Sequence, residues 1–321
     1  MDALPDELVD YALSFLSLDR DGLDLDSLKH ASLVHSRWTH AAQRYIWQAG
    51  AELLTPDDVD QFIKTAPRRT SGPRELAVHA HASMHQLTRL WDVCGDGDLK
   101  MLMIATPTRD VDPAVLVHPA LKGLKQLILQ GWFVRKESPS ELDYPFRNLE
   151  SLVAVDLSPS RRSPLDQFLT SLAPRCIPAL ESISLPAIPS HASEAVARSL
   201  VPFAPHLKHL GVSLNDRTTE RHFIPVLEAA MRLHSFECTT LPYSLLGSMP
   251  PSLAVLATME DAEQLDPPKL RDVLFAQCPR LERLFFACTR AEFEARPEGG
   301  DVLRIARGKG IDWRFGGELD E

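Results

Sequence analysis

The segment Leu124-Lys-Gln-Leu127-Ile-Leu129 decides the fold of this chain, because the sequence repeats its spacing many times. In an extended strand, Leu127 and Leu129 place their side chains on one face, while Ile128 points to the other. Leu124 precedes them by three residues and adds a further apolar position. The segment therefore predicts a short strand with one buried face.

The same apolar-x-x-apolar-x-apolar pattern recurs along most of the chain. Its copies begin at Leu99, Leu124, Leu149, Leu180, Leu207, Leu233, Leu253 and Leu281, and weaker copies flank them at Leu76-x-Val78 and Ile311-x-Trp313. The steps between the eight clear copies are 25, 25, 31, 27, 26, 20 and 28 residues. An internal period centred on about 20–29 residues is that of leucine-rich repeats.

Apolar residues at helical spacing precede several of these predicted strands. The clearest stretches are Leu165–Leu172, Ala195–Leu200, Phe223–Met231 and Leu270–Cys278. Alternating helices and strands predict an α/β fold. Residues 73–321 resemble an irregular leucine-rich-repeat protein, although the asparagine of the repeat loop is mostly missing. This resemblance implies a right-handed solenoid with parallel inner strands and outer helices.

Residues 51–72 are predicted to form a capping helix followed by a connecting loop. Thr55 can cap a helix whose first residue is Pro56. Val59, Phe62 and Ile63 fall on one face of that helix. We therefore interpret the segment as the helix of the first, capping repeat and not as a free linker.

Residues 1–50 form a separate module that is rich in large apolar side chains. Leu8, Tyr11, Ala12, Phe15 and Leu16 recur at helical spacing and predict a first helix with one apolar stripe. Two more short helices are predicted, one from about residue 26 and one over residues 38–46. A module this short cannot bury all these side chains within itself, so the surplus predicts a partner protein.

The order of these residues resembles a known docking motif. Leu4-Pro5-x-Glu7-Leu8, Phe15-Leu16, Leu28-x-x-Ala31-Ser32-Leu33-Val34-x-x-x-Trp38 and Trp47 are similar to an F-box. An F-box is the three-helix motif that docks onto the Skp adaptor of Skp–cullin–F-box ubiquitin ligases. The resemblance covers most of residues 3–48. It implies these adaptor-binding residues: Leu4, Pro5, Leu8, Leu16, Leu28, Leu33, Val34 and Trp38.

The two resemblances together imply a substrate-recognition subunit of a ubiquitin ligase. The F-box would bind the Skp adaptor, and through it cullin, while the repeats bind a target protein. No catalytic residue is implied, so we expect the chain not to be an enzyme. The alternative is a leucine-rich-repeat scaffold that binds proteins independently of any ligase and uses its N-terminal helices only as a cap.

Side chains between the buried positions of each strand would line the concave face of such a solenoid. The apolar ones among them are the predicted target-binding residues: Met101, Met103, Ile128, Val153, Val155 and Phe285. An exposed apolar strip suits a protein or peptide partner. The alternative is that loops or the C-terminal tail bury some of these residues.

Composition and charge exclude several other classes of protein. The formal net charge is −10, which argues against nucleic-acid binding. The five cysteines are scattered without a CxxC pair, which argues against a disulfide framework or a structural zinc site. We recognise no signal peptide, and no apolar run approaches about 20 residues. We therefore expect no membrane partner and a cytoplasmic or nuclear location.

Other motifs do not add a chemical function. His79, His81 and His85 could bind a metal if they clustered, but acidic or cysteine partners at ligand spacing are missing. The sequence contains no phosphate-binding loop, dinucleotide fingerprint or Gly-x-Ser-x-Gly nucleophile motif. We therefore expect neither a metal nor a cofactor.

Overall fold

The computed structural model of the chain describes most of residues 50–316 and parts of the N-terminal module. The described residues are 8–9, 11–13, 25–34, 38–39, 41–42, 45–46, 50–65, 72–95, 99–111, 113–133, 142–155, 165–214, 221–241 and 243–316. The chain divides into two compact units. The first comprises residues 1–132 and 142–148, and the second comprises residues 133–141 and 149–321.

The first unit combines helices with a parallel sheet. Its strands are β1 (Ala51–Leu53), β2 (Glu75–Val78), β3 (Met101–Val111) and β4 (Gln126–Phe133). Its helices are α1 (Leu25–Val34), α2 (Pro56–Thr65) and α3 (Met84–Cys94), with 3-10 turns at Pro113–Val117 and Pro119–Gly123. The strands are neighbours in chain order, and β2 pairs in parallel with both β1 and β3.

The second unit repeats the same arrangement over seven strands. These are β5 (Ser151–Val155), β6 (Ser182–Ile188), β7 (His209–Leu214), β8 (Ser235–Cys238), β9 (Val255–Thr258), β10 (Arg283–Phe286) and β11 (Asp312–Phe315). Each strand pairs in parallel with the next one along the chain. The sheet therefore grows by one strand per repeat.

Helical segments connect these strands. The α-helices are α4 (Leu165–Cys176), α5 (Ser190–Leu200), α6 (Ile224–Ala229), α7 (Tyr243–Leu246), α8 (Pro267–Lys269), α9 (Phe275–Gln277), α10 (Arg290–Glu294) and α11 (Gly299–Gly308). A π-helical segment, Leu270–Leu274, joins α8 to α9, and 3-10 turns occur at Ala204–His206, Arg221–Phe223 and Ala262–Gln264. Such crossovers are what parallel strands require.

The repeated leucine pattern forms the core, as predicted. All ten strands expected from the pattern are present, and each keeps its pattern positions buried. In the second unit, one ladder of buried side chains runs through consecutive strands in register: Leu152, Ile183, Leu210, Phe236, Leu256, Leu284 and Trp313. The α/β class and the parallel strands are thus confirmed.

Two elements of the first unit were not predicted. The helix over Pro56–Thr65 is confirmed, with Val59, Phe62 and Ile63 buried, but the preceding strand β1 was missed. Three residues are too few to show an alternating pattern. Helix α3 was also missed, although Ser83 and Gln86 form a capping box at its start.

The second unit departs from the predicted helices in two places. Residues 270–278 were expected to form one α-helix, but a π-helical segment interrupts it. The helix predicted over Phe223–Met231 ends at Ala229, so Met231 lies beyond it and is exposed. Periodicity predicts helical apolar faces but does not fix the local hydrogen-bond pattern.

Thr239 and Glu260 connect neighbouring repeats through hydrogen bonds from their side chains to the backbone. Thr239 follows β8, and its Oγ1 accepts a hydrogen bond from Leu214 N and donates one to Leu214 O, both at 2.8 Å. Glu260 follows β9 and is buried, and its Oε2 accepts from Leu241 N at 2.8 Å. Both side chains satisfy backbone groups that would otherwise lose their hydrogen bonds on burial.

Thr239→Val should lower the free energy of unfolding by about 1–3 kcal/mol, because valine has nearly the same shape but leaves Leu214 N and O without these bonds. Urea denaturation followed by circular dichroism measures the change. Thr88→Val is the matched control, since Thr88 is exposed and its Oγ1 donates to Met84 O within helix α3, where water can replace the lost bond. Equal effects of the two substitutions would contradict the bridging role.

Candidate protein-binding surfaces

The described part of the N-terminal module contains a small apolar core of its own. Residues 8–9, 11–13, 38–39, 41–42 and 45–46 have helical backbone, and α1 lies between them in the chain. The core consists of Val9, Leu13, Leu28, Ala31 and Ala42, with Trp38, Ala41, Tyr45 and Ile46 packed against it. We call this group the N-terminal cluster. Its assignment as a three-helix F-box stays a prediction.

Three large apolar side chains lie on the outside of the N-terminal cluster. Leu8 is 50% exposed, Tyr11 is 63% exposed and Leu33 is 82% exposed. Val9 and Leu13, which are four residues apart, point into the core instead. The described residues of the predicted stripe, Leu8, Tyr11 and Ala12, therefore face outward. Apolar surface in this arrangement is available to a partner.

The structure separates the predicted adaptor-binding residues into distinct groups. Leu8 and Leu33 are exposed, Leu28 is fully buried in the cluster, and Trp38 is half-buried against it. Leu4, Pro5, Leu16 and the side chain of Val34 lie outside the described residues. Tyr11 was not assigned to the site from the sequence, although its spacing from Leu8 is the signal that identifies it.

On the first unit, predicted target-binding residues occupy the open face of neighbouring strands. Met101 and Met103 on β3 are both half-buried, as is Ile128 on β4. The parallel register pairs Met101 with Glu75 and Met103 with Ala77 on β2. The two methionines thus form one surface, with a carboxylate beside it.

On the second unit, the predicted residues do not form one strip. Val153 is half-buried and Val155 is exposed on β5, whereas Phe285 is half-buried on β10. Between Val153 and Phe285, the same register row contains Ser184, Gly211, Glu237 and Ala257. Five strand spacings of about 4.8 Å separate the two apolar ends by roughly 24 Å. The intervening side chains are small or polar, and that of Glu237 is charged.

Two histidines beside the sheet have titratable neighbours. His79 Nε2 lies 3.2 Å from Glu52 Oε1. Desolvation and the nearby His234 lower the pKa of His209 from its ordinary value.

Within the described ranges, no three histidine, cysteine, aspartate or glutamate side chains group as a metal site. No helix in the part of the chain that the structure describes is long and apolar enough to cross a membrane.

Comparison with known proteins adds a likeness in fold. No protein-family model and no curated protein matches the sequence. Among solved structures, the chain is similar to the leucine-rich repeat-containing protein LegL7 from Legionella pneumophila, with a TM-score of 0.46 and 12% identity, over 78% of this chain and 86% of that one. It is also similar to a protein from Bacteroides fragilis, with a TM-score of 0.46 and 11% identity, over 80% and 68% of the two chains. The strand registers themselves establish the repeat architecture.

The cysteines should be unreactive in the folded chain. Burial raises the pKa of Cys176 to about 12. Burial is also the largest cause of the raised pKa values of Cys278 and Cys288, which are both about 11. At pH 8 about one Cys176 in ten thousand is then a thiolate, against about a quarter of ordinary thiols. Mass spectrometry after brief iodoacetamide treatment should find these residues unmodified in native protein and modified in urea. Rapid native labelling would contradict their burial.

Proposed function

We propose that the chain is a non-catalytic substrate receptor, whose N-terminal cluster docks onto a Skp adaptor while the strand face holds a target protein. Through the adaptor, it would join a cullin-based ubiquitin ligase. The observation that carries the proposal is the exposure of Leu8, Tyr11 and Leu33 on a cluster that already has its own core. Leu8 and Leu33 are not among the residues that form this core or pack against it, so a partner explains their exposure best.

The division of roles within the cluster follows from burial. Leu28 supports the cluster from inside, whereas Leu8 and Leu33 supply the contact surface. Large apolar side chains at the centre of an interface carry most of the binding energy when they become desolvated. The F-box resemblance supplies the identity of the proposed partner, and the exposed positions supply the surface.

The receptor role would require binding and no chemical step by this chain. A target on the strand face and an adaptor on the N-terminal cluster would be joined through one polypeptide, which raises their effective concentration. Met101, Met103 and Ile128 offer the apolar part of the target surface in the first unit. The second unit offers a more polar surface.

Leu8→Asp combined with Leu33→Asp should weaken binding to a purified Skp adaptor by at least about tenfold, because charged side chains cannot be desolvated in an apolar interface. Co-purification and isothermal titration of the full chain measure this loss. Leu54→Asp is the matched control, since Leu54 is 60% exposed in the first unit but lies outside the N-terminal cluster. Unchanged binding by the double variant, or no binding by the wild type, would contradict the proposal.

The alternative function is a repeat scaffold that binds proteins without any ligase. In that case the full chain should stay monomeric and stable without an adaptor, and proximity labelling in cells should recover no Skp or cullin. Deleting the N-terminal cluster should then leave the labelled partners unchanged. Loss of Skp and cullin upon that deletion would favour the receptor instead.

A further inference from the structure

We propose that a pocket at the last repeat of the second unit binds a carboxylate group attached to a small apolar body. The pocket, which we call the terminal pocket, has a volume of about 250 Å³ and is partly open. Its lining residues come from α10, α11 and the start of β11: Arg290, Leu303, Arg307, Ile311, Asp312 and Trp313. None of them belongs to the predicted target-binding set, so this inference stands apart from the proposed function.

Helix α11 and the segment that follows it hold the terminal pocket together. Leu303 and Arg307 are four residues apart on α11, so they lie on the same face of the helix. Beyond the helix, Ile311 N donates to Ala306 O at 2.9 Å, which fixes the chain against the helix end as it enters β11. Backbone hydrogen bonds therefore position both sides of the pocket before a ligand binds, which favours binding.

Trp313 contributes a buried hydrogen-bond donor to the pocket lining. Its ring centroid lies 5.1 Å from that of Phe286 and 4.9 Å from that of Phe293, so aromatic packing holds the indole in place. The residue is 8% exposed, and its Nε1 is buried without a hydrogen-bond partner among the described residues. An indole N–H can only donate, and a buried donor without an acceptor is unfavourable. We therefore expect the ligand to present an acceptor.

Arg307 supplies the positive charge for the ligand. Its side chain is exposed and forms no ion pair with a described residue. The neighbouring Asp312 is engaged elsewhere, since its Oδ2 accepts from Arg314 Nε at 2.9 Å. Arg290 has contacts of its own, including its guanidinium 5.5 Å from the centroid of the Phe315 ring, so we do not assign it to the ligand. A guanidinium offers only donors, and their fork matches the two oxygens of a carboxylate.

The apolar part of the pocket restricts the rest of the ligand. Leu303 and Ile311 line it and suit an aliphatic group. One guanidinium balances one negative charge, whereas apolar walls disfavour the second charge of a phosphate dianion. The terminal pocket therefore fits a monocarboxylate on an aliphatic body. Free organic acids contain this group, and so does the C-terminal residue of a peptide that ends in leucine or valine.

Nuclear magnetic resonance of the isotope-labelled full chain tests the site directly. The chain has five tryptophans, and the indole N–H signal of Trp313 is identified by its loss in the Trp313→Phe variant. Titration with 3-methylbutanoate should shift this signal with a Kd on the order of 1 mM, because a ligand of so few atoms binds weakly. The neutral 3-methylbutanamide and inorganic phosphate should leave the signal in place.

Arg307→Gln should weaken the binding of 3-methylbutanoate about fivefold or more, because glutamine retains a donor but loses the charge that strengthens the hydrogen bond. Arg304→Gln is the matched control, since Arg304 is exposed on the same helix, pairs with Asp301 at 2.7 Å and does not line the pocket. The control should bind like the wild type. Equal thermal midpoints by circular dichroism show that both variants remain folded.

Two peptides identify the source of the carboxylate. The tetrapeptide Gly-Gly-Gly-Leu is titrated with a free C-terminus and with an amidated one. Tighter binding of the free-carboxylate peptide than of 3-methylbutanoate supports a polypeptide C-terminus as the ligand, and the reverse order supports a free organic acid. The inference is overturned if no carboxylate shifts the Trp313 signal, if the amide or phosphate binds equally well, or if Arg307→Gln binds like the wild type.

Discussion

The in-register burial of one apolar ladder is the constraint on which the repeats depend. A strand such as β7 has one apolar face and is too short to bury it alone. Parallel pairing places Leu210 between Ile183 and Phe236, so each strand completes the core of its neighbour. A one-residue slip would move every buried side chain to the open face, which fixes the register strongly. Variation in repeat length is consequently absorbed by the helical connections and loops.

This constraint explains which parts of the fold the sequence predicts. Leu127 and Leu129 must be apolar because they lie in the core, so the strands can be read from spacing alone. Strand β1 cannot be predicted in this way because it is only three residues long. The π-helical turn at Leu270–Leu274 cannot be predicted from spacing either, since α-helical and π-helical segments bury similar apolar faces. Thr239 and Glu260 connect neighbouring repeats through side-chain hydrogen bonds that the leucine spacing does not reveal.

Core packing does not constrain the residue types on the open face of the sheet, so the function of that face is harder to predict from the sequence. Alternation along a strand identifies the residues that face outward. Because these residues are not buried in the core, burial does not restrict which residue types occur there. Val153 and Phe285 therefore lie in one register row without forming one apolar surface, because serine, glycine and glutamate separate them.

In the N-terminal cluster, residue type alone does not distinguish a side chain that forms the core from one that is exposed on the surface. Leu28 and Leu33 are both leucines of helix α1, yet one is fully buried and the other is 82% exposed. Their separation of five residues places them on different sides of a helix with 3.6 residues per turn. A motif resemblance identifies both as important, whereas only the structure distinguishes the core residue from the surface residue. Losing Leu28 would weaken docking by unfolding the cluster, while losing Leu33 would weaken it with the cluster intact. That distinction makes Leu33, and not the better-buried Leu28, the residue on which the adaptor proposal depends.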